Sequence, residues 1–546
     1  MISGVNYINC EEKSTGEEHI LKCLEMMEDF KLNKEGMGVY QDALNQMGIL
    51  WTGRGKAEDA LDYFKQAELL YVEFKNLVGG APVMLEEYLS PKRDADGKVE
   101  FERAAQLENA YTHTLYYFAQ VYQLLGKAEI SAEYCHVTLQ RQLDAPDLNP
   151  LDWSLHAATL SQYYMTERKF TMSRHCLASA QVMFAQAEVS DEVNSSDDTK
   201  EKLQQGRADI LRCWVKYGLG LLENSREAMV NEAYETELKT PAETGNEKTS
   251  TGEKSKHTSS VNENEPSMSS QQCAQNKETS ISERKPGKGE ERFNLEVTSH
   301  EEKISDSTLN NFDEAREVFL LIKKWIEEAK AFYKIDLHCT DYIAIVQDQS
   351  LSFKLLTFFE LDFERQCKMH KKRIDMLVEL LNELNPQHYL LVCRQLIYEI
   401  ADTYSTLMDL KFSILEASGT DVRPTAHQVK KINALVQESI KYYQQYLDTL
   451  KDNKPVYPDE FPENDVRPGL VAMFCMGRQY SKFIVGDVQS KLLNIKKSKD
   501  CYQFVVDYCK KNPSAACLVE SELELCKELV ELLPAKMEKI RVESER

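Results

Sequence analysis

Apolar residues recur at three- and four-residue spacing through most of the chain, and runs that alternate as strands do are scarce. This pattern predicts helices over 111–125, 153–165, 176–187 and 210–222, and again over 390–410, 429–450, 473–485 and 520–540. The rhythm stops between Glu223 and Asn311, where Ser, Thr, Glu, Lys and Asn dominate. So polar a segment cannot bury enough surface to offset its ordering entropy, which predicts a mobile linker. The stretch "GGAPVMLEEYLSPKRDADGK" reads as a second loop. Past the linker, 313–385 holds neither Gly nor Pro, and within it "IAIVQDQSLSFKLLTFFELDFERQCKMHKKRIDMLVELLNEL", residues 343–384, predicts one unusually long helix before "NPQ" stops it. The expected organisation is helical repeats over 1–222, a linker over 223–311, a helical segment with a long connecting helix over 312–385, and further repeats over 386–546.

Small residues then sharpen the reading. "ALNQMGILWTGRGKAEDALDYFKQAELLY", residues 43–71, places Gly48, Ala60 and Ala67 among Met47, Trp51, Leu61 and Phe64. That spacing follows the 34-residue tetratricopeptide pattern, W-x2-L-G-x2-Y…A-x3-F…P. Leu44 fills the Trp slot, Met47 and Gly48 the Leu-Gly slots, Trp51 the Tyr slot, and Ala60 with Phe64 the A-x3-F slots; Val72 replaces the closing Pro. Each repeat is a pair of antiparallel helices, with small residues where their backbones approach. The pattern returns at Leu115, Ala119, Tyr122, Ser131 and Cys135, and at Ala157, Ser161, Tyr164, Ser173 and Leu177. "EIADTYSTLMDLK" around Ala401 and "AMFCMGRQY" around Gly477 read as decayed first helices. The predicted fold is all-α, a tetratricopeptide-like right-handed α-solenoid in two subdomains joined by a long helix.

Helical phase also predicts a free surface. The Leu, Gly and Tyr slots turn one stripe of each first helix towards its partner. The remaining face carries His113, Tyr116, Tyr117 and Gln120 in the second repeat, and Leu155, Thr159 and Gln162 in the third. In a solenoid such a face lines the concave groove, where peptides or helices dock, and aromatic and amide side chains suit a helical ligand.

Composition narrows the possible partners. The formal charge is −23, which repels nucleic acid and anionic membrane and favours a basic protein partner. No run of eighteen apolar residues is present to span a membrane, and the start has no signal-peptide pattern. The 14 cysteines form no C-x-x-C pair, so we expect reduced thiols, with Cys23, Cys135, Cys176, Cys213 and Cys393 acting as small hydrophobes. "WTGRGKAED" lacks the spacing of a phosphate loop. "KRDADGKVEFER" would put Lys92 and Arg103 at the ends of a calcium loop, where both repel the ion. No H-E-x-x-H or G-x-S-x-G occurs, so neither catalysis, a cofactor, a metal nor a small-molecule substrate is expected.

Longer segments carry a more specific signal. "STGEEHILKCL", "LNQMGILW", "YTHTLYYFAQVYQ", "AATLSQYY", "FDEAREVFLL", "DYIAIVQDQS", "CKMHKKRI", "LNPQHYLLV" and "SELELCKELVELLPAKME" closely resemble the kinesin-family binding protein (KBP) family, in the same order from Ser14 to Glu538. The resemblance implies a solenoid that is no enzyme. It would bind the motor domains of selected kinesins and block their attachment to microtubules. It further implies a cytoplasmic, cytoskeleton-associated protein acting in axonal microtubule organisation, neurite outgrowth and cargo transport. By that similarity Tyr117, Gln120, Gln142 and Thr159 contact a motor helix, joining His113 and Gln162 as candidate partner-binding residues. Relatives carry a further N-terminal segment before the "GEEH" helix. If a first helical pair is lost, the Leu21–Leu24–Met27 face is expected to lack a capping partner and to fray.

A co-chaperone adaptor that clamps a peptide C-terminus is the alternative. Its cationic clamp would fall at Ile49, Gln120 and Gln162, near Asn45, Tyr116 and Ala158. None of these is basic, so charge-assisted bonds to a carboxylate cannot form.

Overall fold

The structure is a computed structural model and describes residues 1–89, 99–145, 148–191, 196–239, 292–417, 424–451 and 456–545. The later part of the expected second loop, 90–98, and the centre of the polar segment, 240–291, lie outside the described residues. The chain opens with α1 (Ile2–Asn9), α2 (Lys13–Met27), α3 (Met37–Gly53), α4 (Ala57–Leu77) and the short α5 (Leu85–Leu89). It continues with α6 (Val99–Leu124), α7 (Ala128–Leu143), α8 (Pro150–Thr166), α9 (Phe170–Asp191) and α10 (Asp197–Lys239). After the polar segment come α11 (Thr298–Glu301), α12 (Phe312–Phe332), α13 (Cys339–Phe359), α14 (Phe363–Glu383) and α15 (Leu390–Ala417). The last five are α16 (Ala426–Asp448), α17 (Glu463–Ser481), α18 (Val488–Lys511), α19 (Pro513–Ala516) and α20 (Glu520–Glu545). No strand occurs among the described residues, and the fold is all-α and tetratricopeptide-like. Two units divide the chain: Met1–Leu160 with Met229–Leu295, and Ser161–Ala228 with Glu296–Arg546.

Hairpins within each unit are built on one repeated contact. In the first unit a Cβ added to Gly48 of α3 would lie 2.4 Å from the Phe64 ring of α4, and Ala60 is fully buried. Between α6 and α7, Ser131 Oγ donates to the Ala119 carbonyl at 2.8 Å. In the second unit Ser173 of α9 donates to the Ser161 carbonyl at 2.8 Å. Ser439 of α16 does the same to Ala401 at 2.9 Å, and Ser498 of α18 to Gly477 at 2.7 Å. Four residues after each of these positions stands Phe64, Cys135, Leu177, Tyr443 or Tyr502, which are packed inward. The hydroxyl uses the spare lone pair of a carbonyl already bonded within its helix, so it satisfies itself where two backbones are in contact.

Three expectations need correction. The 343–384 stretch is not one helix but most of α13 followed by α14, with α12 a separate helix before them; the longest helix among the described residues is α10, with 43 residues. Neither break needs Gly or Pro. Asp362 accepts the backbone N–H of Glu364 and caps α14, while Tyr333 leaves α12 in an extended conformation with its side chain buried. The linker expected over 223–311 is shorter at both ends. Glu223–Lys239 completes α10, and the chain is packed again from Phe293. In the first unit the Phe293 ring lies 4.2 Å from His136 and edge-on to Trp153 at 5.1 Å. In the second, Val297, Ile304 and Leu309 are buried, His175 Nδ1 lies 2.9 Å from Glu301 Oε1, and Arg174 pairs with Asp306 at 2.9 Å. One apolar residue every few positions is too sparse to register as a helix yet sufficient to dock a strap. The expected Leu21–Leu24–Met27 face is also altered, because Ile20 is fully buried and Leu21 is exposed. Gly4 and Gly16 let α1 and α2 touch, as a Cβ on Gly16 would lie 2.7 Å from the Gly4 oxygen.

The second unit also buries a charged network between α13, α14 and α15. Arg373 donates to Glu399 Oε1 at 2.9 Å, to Ser350 Oγ at 3.3 Å and to His370 Nδ1 at 3.1 Å. Ser350 Oγ also donates to Glu399, at 2.6 Å. Burial, with the cationic Arg373 and Lys354 nearby, pushes the His370 pKa down to about 4. The imidazole is therefore neutral and accepts at Nδ1. The cysteines of the described residues are free thiols; Cys176 and Cys393 are buried, and Cys23, Cys135 and Cys213 partly so.

Two outcomes follow for stability. Gly48→Ala should improve helix propensity by about 1 kcal/mol yet lower the urea midpoint, because overpacking against Phe64 costs about 1–3 kcal/mol. Between about pH 6.5 and pH 4 the unfolded chain binds a proton at His370 that the folded chain refuses. Stability should fall across that window as pH drops, and His370→Gln should flatten the slope measured by urea unfolding at each pH.

Candidate partner-binding face

Helix α6 sits in the first unit against α3, α4 and α7. Leu107, Ala110, Thr114, Leu115, Phe118, Ala119, Val121 and Tyr122 face inward, which leaves the opposite stripe to solvent. His113, Tyr116 and Gln120 are exposed on that stripe, and Tyr117 is half-buried among them. The Tyr117 ring stacks on Phe64 at 5.5 Å with an interplanar angle of 4°, and meets Tyr116 edge-on at 5.3 Å. Desolvation raises the pKa of its hydroxyl. Gly48 thus admits Phe64, and Phe64 supports the ring that reaches the surface.

One carboxylate sets the height of α6 against its neighbours. Glu108 accepts from Tyr71 at 2.8 Å, Lys75 at 2.7 Å and Arg141 at 2.6 Å, joining α4, α6 and α7. Burial pushes the Glu108 carboxyl up, but these three bonds win and hold it below its ordinary range. Arg141 also donates to Thr112 Oγ1 at 3.1 Å and lies 4.8 Å over the Tyr111 ring, which stacks on Tyr71 at 3.7 Å. Gln142, the next residue, is half-buried in the last turn of α7.

Helix α8 is anchored in the first unit by Trp153, which is 1% exposed and donates to the Leu139 carbonyl at 2.9 Å. Thr159 is exposed on this helix, and its hydroxyl is occupied by the Leu155 carbonyl at 2.9 Å. Five candidates, His113, Tyr117, Gln120, Gln142 and Thr159, therefore belong to the first unit, three of them on one stripe of α6. Gln162 follows Thr159 by three residues on the same helix. It lies in the second unit, half-buried, donating to Ser161 Oγ at 2.9 Å and to the Cys213 carbonyl at 3.4 Å. The Glu108 cluster carries no signal in sequence, because its partners stand 33 and 37 positions away. Asn45, a neighbour of the hypothetical carboxylate clamp, is buried and bonded to Thr114 at 2.9 Å.

These features define a helical-repeat protein with a neutral aromatic and amide surface. The family model for the KIF-1 binding protein C terminal matches residues 151–540. The chain is 41% identical to the KIF-binding protein of Gallus gallus, covering 98% of this chain and 86% of that protein. It is 40% identical to that of Homo sapiens, with 98% and 83% covered, and 30% identical to that of Drosophila melanogaster, with 98% and 84% covered. A cryo-EM structure of KIFBP superimposes with a TM-score of 0.62 at 35% identity, covering 99% of this chain and 89% of that one. The chain belongs to the KIF-binding protein family.

Truncating the surface ring tests its support. Tyr117→Ala should destabilise the first unit by about 0.5–1.5 kcal/mol through the lost stack on Phe64. Gln120→Ala and Thr159→Ala should stay within about 0.5 kcal/mol of the parent in urea unfolding.

Proposed function

We propose that this chain is a non-enzymatic regulator that binds the motor domains of selected kinesins and blocks their attachment to microtubules. Membership of the KIF-binding protein family along nearly the whole chain carries this reading. The exposed stripe of α6 supports it. His113, Tyr116, Tyr117 and Gln120 offer aromatic and amide contacts without a charge that would need neutralising, which suits a helix laid along them. The charge of −23 supports it as well. Tubulin is acidic, so a motor's track-binding surface is basic, and an acidic competitor gains association rate by steering. Gln142 and Thr159 extend the proposed contact, and a cytoplasmic, cytoskeleton-associated site of action fits it. Effects on axonal microtubule organisation, neurite outgrowth and cargo transport would follow from which motors are removed from their tracks.

Co-sedimentation of purified motor domains with microtubules, with and without this protein, tests the proposal. Motors should move to the supernatant as the protein is titrated, and motors that stayed pelleted at saturation would reject it. The double variant Tyr117→Ala with Thr159→Ala should weaken capture about tenfold or more at unchanged helix content by circular dichroism. In stopped-flow, higher salt should slow association while leaving dissociation nearly constant.

A further inference from the structure

The last helix of the second unit, α20, carries two apolar rows. Leu523, Cys526 and Leu533 form the first and are buried in the core. The second row runs at i, i+4, i+7 through Leu525, Leu529 and Leu532. Leu525 is 49% exposed and Leu532 62% exposed, while Leu529 between them is half-buried against the core, so the exposed part of the row is Leu525 and Leu532 with the edge of Leu529. A surface helix ordinarily has one apolar stripe, and a second marks a contact to be made.

Charge identifies what would cover it. Beside the leucines runs a second line of Glu520, Glu524, Glu528 and Glu531, all exposed. None of the four makes an ion pair with any described residue, although Glu522 on the same helix pairs with Arg467 and Glu538 with Arg541. Carboxylates four apart on one helix repel each other, and Lys527, three residues from Glu524 and four from Glu531, makes no ion pair with either, so cations brought by a partner would relieve the line. A second copy of this chain would bring two acidic lines together in a self-complementary contact. An anionic membrane would be repelled as well.

We propose that this face of α20 is a docking surface for a basic amphipathic helix of another protein. The partner lays an apolar ridge over Leu525, Leu529 and Leu532 and a row of Lys or Arg along the glutamates. This surface belongs to the second unit, whereas the α6 stripe belongs to the first, and the proposal does not depend on the kinesin reading.

Fluorescence anisotropy with the full chain tests it. The probe is a labelled synthetic helix of roughly 18 residues, with Leu at three- and four-residue spacing and an adjacent row of Lys. A control peptide has the same composition in an order that breaks the apolar row. The amphipathic probe should bind saturably, and the control about tenfold more weakly or less. The double variants Leu525→Ser with Leu532→Ser, and Glu524→Lys with Glu528→Lys, should each lose about tenfold in affinity at unchanged circular dichroism. Equal binding of both peptides, undiminished binding to the leucine variant, or no binding at all would overturn the proposal. So would self-association in sedimentation velocity that vanishes with the leucine variant, because the face would then belong to a second copy.

Discussion

Every hairpin in which a small residue stands opposite another helix depends on how closely two backbones can approach. Gly48 is the clearest instance, because the Phe64 ring occupies the space that a Cβ would need. Where the second helix offers Ser instead of Ala, the hydroxyl bonds directly to a main-chain carbonyl of the first, as at Ser131, Ser173, Ser439 and Ser498. A longer side chain at any of these points would push the helices apart and loosen the large residue four positions on. Volume is the constraint, and the hydrogen bond comes with it.

That packing decides which residues are left over for function. Once α6 commits Leu115, Phe118, Ala119 and Tyr122 to the core, His113, Tyr116 and Gln120 have no inward position available. Tyr117 lies at the border, with one ring face on Phe64. The exposed faces of α6 and α20 then differ in chemistry, neutral and aromatic against apolar and acidic. They suit different ligands, and neither asks the fold to change.

Buried polar groups do a different task. Arg373, His370, Ser350 and Glu399 satisfy one another at the junction of α13, α14 and α15, so a shift of register would leave a charge without a partner. Glu108, though partly exposed, ties α4, α6 and α7 together in a similar way, shortly before the exposed stripe of α6 begins. Such groups act on function only by position. They hold the helices whose outer faces are the proposed contact surfaces.

Much of this was legible in the chain alone. The repeats at Gly48, Ala119 and Ser161 could be read because each small residue is followed by a second one 12 positions later, at Ala60, Ser131 and Ser173. Ala401 and Gly477 were recognisable as first helices, but their partners Ser439 and Ser498 were not. Loops of different length had moved them to 38 and 21 positions. The exposure of the α6 stripe followed from helical phase, a local property. The breaks in 312–385, the strap from Phe293 onward and the placement of Gln162 did not, since each rests on burial against residues distant in sequence. Periodicity therefore determined the helices, their pairing rule and the outward stripe of α6. Tertiary structure alone decided where helices stop without Gly or Pro, and which polar side chains are spent inside the fold, because contact energy between remote segments leaves no local trace.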